Sequence, residues 1–160
     1  MIERKYLAHY IDASFGGTTA TNYRLGKDVE EYNIELNPDV EKKKNILGEN
    51  SVVLKGYEVQ SSLDTYYGDY DEALTTKLLQ IANERTTGNG VKTTVVDVLL
   101  KDTSGTVSVV WAYREDAVIA VNSVGGDNAG VNIPFDIHYA GNRVKGTWDI
   151  TTKTFTPDEN

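Results

Sequence analysis

The chain has 160 residues, a net charge of -8 from 24 acidic and 16 basic residues, and no cysteine. That is about one domain in length, with no disulfide framework and no thiolate metal site. The acid excess excludes tight nucleic-acid binding, whose affinity comes from lysine and arginine displacing counterions. The opening run Met1-Ile2-Glu3-Arg4-Lys5-Tyr6-Leu7-Ala8 lacks the apolar core of a signal peptide, so synthesis and folding in the cytoplasm are expected. The longest mainly apolar stretch, residues 107–113, is far shorter than the roughly 20 residues that span a bilayer, so no membrane contact is expected.

In chain order, residues 1–5 read as an N-terminal arm. Residues 29–36 and 52–60 read as strands joined by a long loop, 37–50, that carries Pro38, Gly48 and Lys42-Lys43-Lys44. Such a connection is too long for an ordinary hairpin and invites a functional reading. After Gly68, with Asp69 or Asp71 placed to cap, Leu74, Leu78, Ile81 and Ala82 recur at helical spacing until Thr86-Thr87-Gly88-Asn89-Gly90. Residues 93–100 and 107–113 are rich in β-branched side chains and joined by Asp102-Thr103-Ser104-Gly105, a hairpin signal. A further strand, 117–124, precedes the glycine-rich loop 125–130. In 131–139, Val131, Ile133, Phe135, Ile137 and Tyr139 alternate with polar residues, and Pro134 implies a sheet edge or a bulge there. Ala140-Gly141-Asn142 reads as a turn, after which Val144, Gly146, Trp148 and Ile150 share one face and complete a second hairpin. Residues 152–160 form a short tail. The fold class expected is mainly β, an antiparallel β-sandwich or open barrel with one flanking α-helix, in a single domain over 1–160.

Chemistry-bearing patterns are sparse. His9 and His138 lack a second ligand at metal spacing, and there is no Gly-x-Ser-x-Gly elbow. Gly141 to Thr147 imitates a phosphate loop but lacks the lysine after the second glycine. With 24 acids, chance carboxylate pairs are expected, and Gly126, Asp127 and Asn128 do not have the spacing of a calcium-binding EF-hand loop. Tyr57, Tyr66, Tyr67 and Tyr70 could stack on sugars, as in a carbohydrate-binding β-sandwich, but more often such residues fill cores and interfaces. The expectation is a protein that is not an enzyme and holds no cofactor or metal.

The run Val53-Leu54-Lys55-Gly56-Tyr57-Glu58-Val59-Gln60, leading through Tyr66-Tyr67-Gly68-Asp69-Tyr70-Asp71-Glu72-Ala73-Leu74, and the closing segment from Val131 to Ile150 resemble the tail tube proteins of siphophages that infect Gram-positive bacteria. The resemblance covers nearly the whole chain and rests on order of elements more than on invariant residues. It implies a virion tail protein, assembled in the host cytoplasm, whose subunits form six-fold rings that stack into a tube. It also implies partners: other copies of itself, a tape measure protein, a tail terminator and a distal tail protein, with double-stranded DNA passing through the lumen without tight binding. Another ring-forming tail protein, such as a terminator, fits the same pattern. In this picture the arm, the loop 37–50 and the tail reach neighbouring subunits, and like charge keeps phosphates from sticking to the bore. Glu31, Asn33 and Glu35 share one face of their expected strand and would face the lumen, although alternation alone does not say which face that is. Asp39, Glu41, Lys42, Lys43 and Lys44 would form the inter-ring loop, with the lysines pairing acids of the adjacent ring.

Overall fold

A computed structural model describes residues 1–158. The fold is mainly β, one curled antiparallel sheet forming an open half-barrel with a single helix. The elements are β1 (Leu7–Asp12), β2 (Asn22–Leu25), β3 (Pro38–Lys44), β4 (Asn50–Tyr57), β5 (Gln60–Leu63), α1 (Ala73–Glu84), β6 (Lys92–Thr103), β7 (Thr106–Val121), β8 (Gly125–Asp127), β9 (Gly130–Asn132), β10 (Phe135–Tyr139), β11 (Val144–Asp149) and β12 (Thr154–Pro157). The main sheet runs β12-β11-β7-β6-β1-β2, with β10 lying beside the far end of β7 and β5 beside β10. Two small hairpins, β3–β4 and β8–β9, stand apart from it.

Strand β7 is the spine. The sequence suggests a break at Arg114-Glu115-Asp116, yet the strand runs through those charges for 16 residues. The charges are tolerated because they have partners: Glu115 meets Arg143 and the Gly141 N–H, and the Arg114 guanidinium lies over the Phe155 ring at 5.0 Å. Strand β6 joins β7 through Ser104 and Gly105, both at positive φ (53° and 87°), the geometry of a two-residue hairpin turn.

The expected hairpin at Ala140-Gly141-Asn142 does not form. Strands β10 and β11 both pair antiparallel with the same edge of β7, Tyr139 opposite Ala117 and Val144 opposite Arg114. They are one interrupted strand, and residues 140–143 bulge opposite Glu115 and Asp116. Backbone groups released by the bulge find local partners: the Ala140 N–H donates to the Asp116 carbonyl and the Asn142 Oδ1 accepts from the Asp116 N–H. At this bulge the apolar face changes sides, which bulges commonly permit.

As a result the sheet carries two cores. On one face Ile11, Val95, Ala117, Ile119, Phe135 and Ile137 pack beneath Leu74 and Leu78 of α1. On the other face, toward the β12 edge, Tyr10, Val96, Val98, Trp148 and Phe155 close over Ala8 and Ala112. Tyr10 on β1 and Trp148 on β11 approach to 4.4 Å across two intervening strands, which requires the sheet to curl. Small residues permit this. Gly146 leaves the space taken by the Phe155 ring, which a Cβ would meet at 2.4 Å.

Several other sequence expectations are corrected. Residues 29–36 do not form a strand; among the described residues their one ladder contact is the bridge from Glu35 to Gln60. The expected strand 52–60 divides at Glu58-Val59, where the chain leaves β4 for β5. The expected strand 131–139 breaks at Pro134, which lacks the N–H a ladder needs. Neither Asp69 nor Asp71 caps α1; Glu72 holds the N-cap position and its carboxylate accepts from Tyr66 and Tyr23 instead. The presumed tail is strand β12 up to Pro157, with Phe155 buried; Glu159 and Asn160 lie outside the described residues.

The crowding at Gly146 is testable. Gly146→Ala should cost about 1–3 kcal/mol by overpacking, lowering Tm by roughly 2–4 °C per kcal/mol. Gly56→Ala, with open space around its Cβ, should leave Tm nearly unchanged. Thermal denaturation followed by circular dichroism compares the two, and equal Tm values would contradict the packing described.

Candidate assembly surface

The region 37–50, expected as a loop, is most of a β-hairpin. Pairing runs from Pro38 opposite Tyr57 to Lys44 opposite Asn50, with an irregularity between Asp39 and Val40. Its strand character was hidden because neither face is buried, so lysines and apolar residues alternate without a core pattern. At the root, Asn37 and Glu58 exchange two hydrogen bonds: the Glu58 N–H donates to the Asn37 carbonyl and the Asn37 amide to the Glu58 carbonyl. Beyond that root, among the described residues, β3 and β4 pair only with each other.

The register sorts the side chains of β3 and β4. One face carries Val40, Val52 and Leu54 with Lys42 and Lys44; the other carries Glu41, Lys43, Ser51, Val53 and Lys55. On the second face Glu41 pairs with Lys55 at 2.7 Å and Lys43 at 3.4 Å, so the lysine run is partly neutralised within its own hairpin. Val40, Val52 and Leu54 remain about half or more exposed. The tip is a built turn. The Asn45 side-chain oxygen accepts from the N–H groups of Leu47 and Glu49, and Gly48 takes a positive φ of 81°. That turn holds Ile46 and Leu47 out at 103% and 77% exposure. A two-stranded hairpin is marginal on its own in water, and contiguous exposed apolar surface marks an interaction site.

Beside the root, Glu31, Asn33 and Glu35 are exposed and line one depression, although they do not lie on a strand. Tyr32 between them is buried, and its backbone carbonyl, with no strand partner, accepts from Arg4 at 3.1 Å. The Asn33 amide donates to Glu31 at 2.8 Å. With Gln60, Ser61, Ser62 and Asp64 these three residues line a shallow polar depression of about 280 Å³. An adjoining depression adds Asp28 and Glu30. The acidic face and the lysine-bearing hairpin therefore meet at one end of the main sheet. Residues 1–5, expected as a free arm, are partly tied down: Arg4–Tyr6 form a short helical turn, and Arg4 also donates to the Leu7 carbonyl.

No protein-family model matches this chain, and a search of curated proteins finds no match.

A buried polar chain lies on the α1 side of the sheet and was missed in the sequence because its members are scattered. His9 Nδ1 lies 2.7 Å from Asp97, whose other oxygen accepts from Arg143 at 2.9 Å. Glu115 lies 3.5 Å from Arg143 and accepts from the Gly141 N–H at 2.7 Å. Asp97 and Glu115 are almost fully buried. His9 Nε2 faces Arg4 at 3.0 Å, which makes Nε2 the acceptor and assigns the ring proton to the Asp97 side. Next to this chain the Tyr32, Ser61 and Tyr139 hydroxyls cluster, and burial pushes the Tyr32 and Tyr139 hydroxyls above the usual phenol range. The only sequence-level signal was polar residues standing where the alternation demands apolar ones, at Asp97 and Glu115. Of the tyrosines considered as a sugar platform, Tyr66 is in the core with its hydroxyl on Glu72 and Thr75, and Tyr70 is fully exposed. Among the described residues no group of three or more histidines, aspartates or glutamates is placed to hold a metal ion.

Removing one member of a buried ionic chain leaves the others uncompensated. Asp97→Asn should lower unfolding free energy by about 3 kcal/mol or more, whereas the exposed Asp71→Asn should change it by less than about 0.5 kcal/mol. Denaturant titration measures both; a neutral Asp97→Asn would show that the chain is not under electrostatic demand.

Proposed function

We propose that this protein is a structural subunit that polymerises with copies of itself, and that it acts as a tail tube protein: six-fold rings stacked into a channel through which DNA passes. The observation that carries the reading is the β3–β4 hairpin, which pairs only with itself and presents Val40, Val52, Leu54, Ile46 and Leu47 to water. An arm of this kind is stable in use only when another surface covers it.

A second copy fits the charge. The hairpin holds four lysines against three acids in a chain whose acids outnumber its bases by eight, so its partner surface is acidic, and the body of the same protein is acidic. A projecting arm that meets a different surface of the next copy is a heterologous contact, which propagates rather than closing on itself. Strands β2 and β12 each pair on one side only, leaving edges that lateral neighbours in a ring could complete. Within this proposal Glu31, Asn33 and Glu35 belong to the lumen wall or its rim, Asp39, Glu41, Lys42, Lys43 and Lys44 to the inter-ring contact, and the tape measure protein, tail terminator and distal tail protein to the assembled tail.

Ile46→Asp with Leu47→Asp tests the arm without touching either core. On concentration the wild type should form large assemblies and the double variant should not, at the wild-type Tm, as read by sedimentation velocity. Undiminished assembly by the variant would sink the role given to the hairpin tip.

A further inference from the structure

The strongest remaining feature is a cavity of about 390 Å³ between the start of β1, the end of β2 and the segment that follows it. Its floor is mainly apolar, formed by Leu7, Leu25, Val29, Tyr32 and Leu63 with the buried His9, and its rim carries Arg4, Lys5, Arg24 and Lys27 against a single acid, Glu30. Four cations around one cavity run against the composition of a chain with net charge -8. Two of them are already neutralised: Lys5 pairs with Glu3 at 3.1 Å and Lys27 with Asp69 at 2.7 Å. Among the described residues, Arg4 and Arg24 have no carboxylate partner and bond only to backbone carbonyls and to His9.

Arg4 is held rather than free. Its guanidinium donates to the carbonyls of Leu7 and Tyr32, and its contact with His9 is backed by the His9–Asp97 bond. These contacts use three of the five N–H groups and leave two to offer, while Arg24 spends one, on the Lys5 carbonyl. A fixed guanidinium loses little freedom on binding, and planar donors of this type match a carboxylate. The volume lies in the range of small-molecule sites, which are mainly apolar with a few convergent polar groups.

We infer that this cavity is a binding site for a small organic acid, a carboxylate on a short apolar chain, with Arg4 and Arg24 taking the carboxylate and Leu7, Leu25 and Leu63 the chain. The apolar floor distinguishes it from a site for inorganic phosphate or a nucleic-acid backbone. This inference is independent of the polymerisation reading, since every lining residue comes from one copy.

The test is a methyl NMR titration of the full chain with octanoate, with octanol and inorganic phosphate in parallel. Octanoate should shift the methyls of Leu7, Leu25 and Leu63 saturably, and neither control should do so. Arg24→Glu should weaken octanoate by about tenfold or more, the loss of one charge-assisted contact, at unchanged Tm, and Arg24→Gln should weaken it in the same direction. Lys145→Glu, away from the cavity, should bind as the wild type does. The inference is overturned if octanoate gives no saturable shift, if octanol binds equally well, or if Arg24→Glu binds like the wild type.

Discussion

Arg143 stands where two demands on the sheet collide. It is the last residue of the bulge that shifts the register of β11 against β7, and it reaches back to neutralise Asp97 and Glu115, two acids buried on the face that belongs to the α1 core. Without the bulge the apolar side chains of β10 and β11 would fall on the wrong faces, because alternation has a period of two and cannot by itself change sides. Without Arg143, Asp97 and Glu115 would be stranded at a high desolvation cost. One ionic contact thus fixes where the first core ends and the second begins, and hence where the sheet curls.

The curl has consequences at a distance. It brings Tyr10 against Trp148 and carries β12 over as an outer strand, while at the opposite end the main sheet finishes at short strands. There residues 29–36 meet β5 only at the Glu35–Gln60 bridge, the Tyr32 carbonyl takes Arg4 as its partner, and Arg4 in turn meets His9 and the ionic chain. Beyond that end the chain leaves the sheet altogether and builds a hairpin that has no core of its own. The body is thus held together internally, while the hairpin carries a run of exposed apolar side chains.

Much of this was legible in the sequence. The alternation in β10, the helical spacing of Leu74, Leu78 and Ile81, and the Ser104-Gly105 turn all report local geometry that tertiary contacts reinforce. The failures share a cause: each depends on a partner remote in sequence. Arg114-Glu115-Asp116 looked like a break because the charges that satisfy or cover it lie beyond residue 140. Ala140-Gly141-Asn142 looked like a hairpin turn because the strand that accommodates the bulge is β7, more than twenty residues earlier. Strand β3 and the turn after it looked like a loop because burial, the signal that marks most strands, is missing from both faces of the hairpin, although most of β4 was expected as strand. For the candidate surface, the common face of Glu31, Asn33 and Glu35 was readable from spacing alone, whereas the hairpin tip and the Arg4–Arg24 cavity needed coordinates.

The central claim is that this subunit completes itself only by joining copies of its own kind. Negative-stain electron microscopy of the concentrated wild-type protein at physiological salt addresses that most directly. The account predicts rings with six-fold symmetry and hollow stacks built from them. A field of isolated monomers, persisting after seed tubes or an initiating tail tip are added, would contradict it.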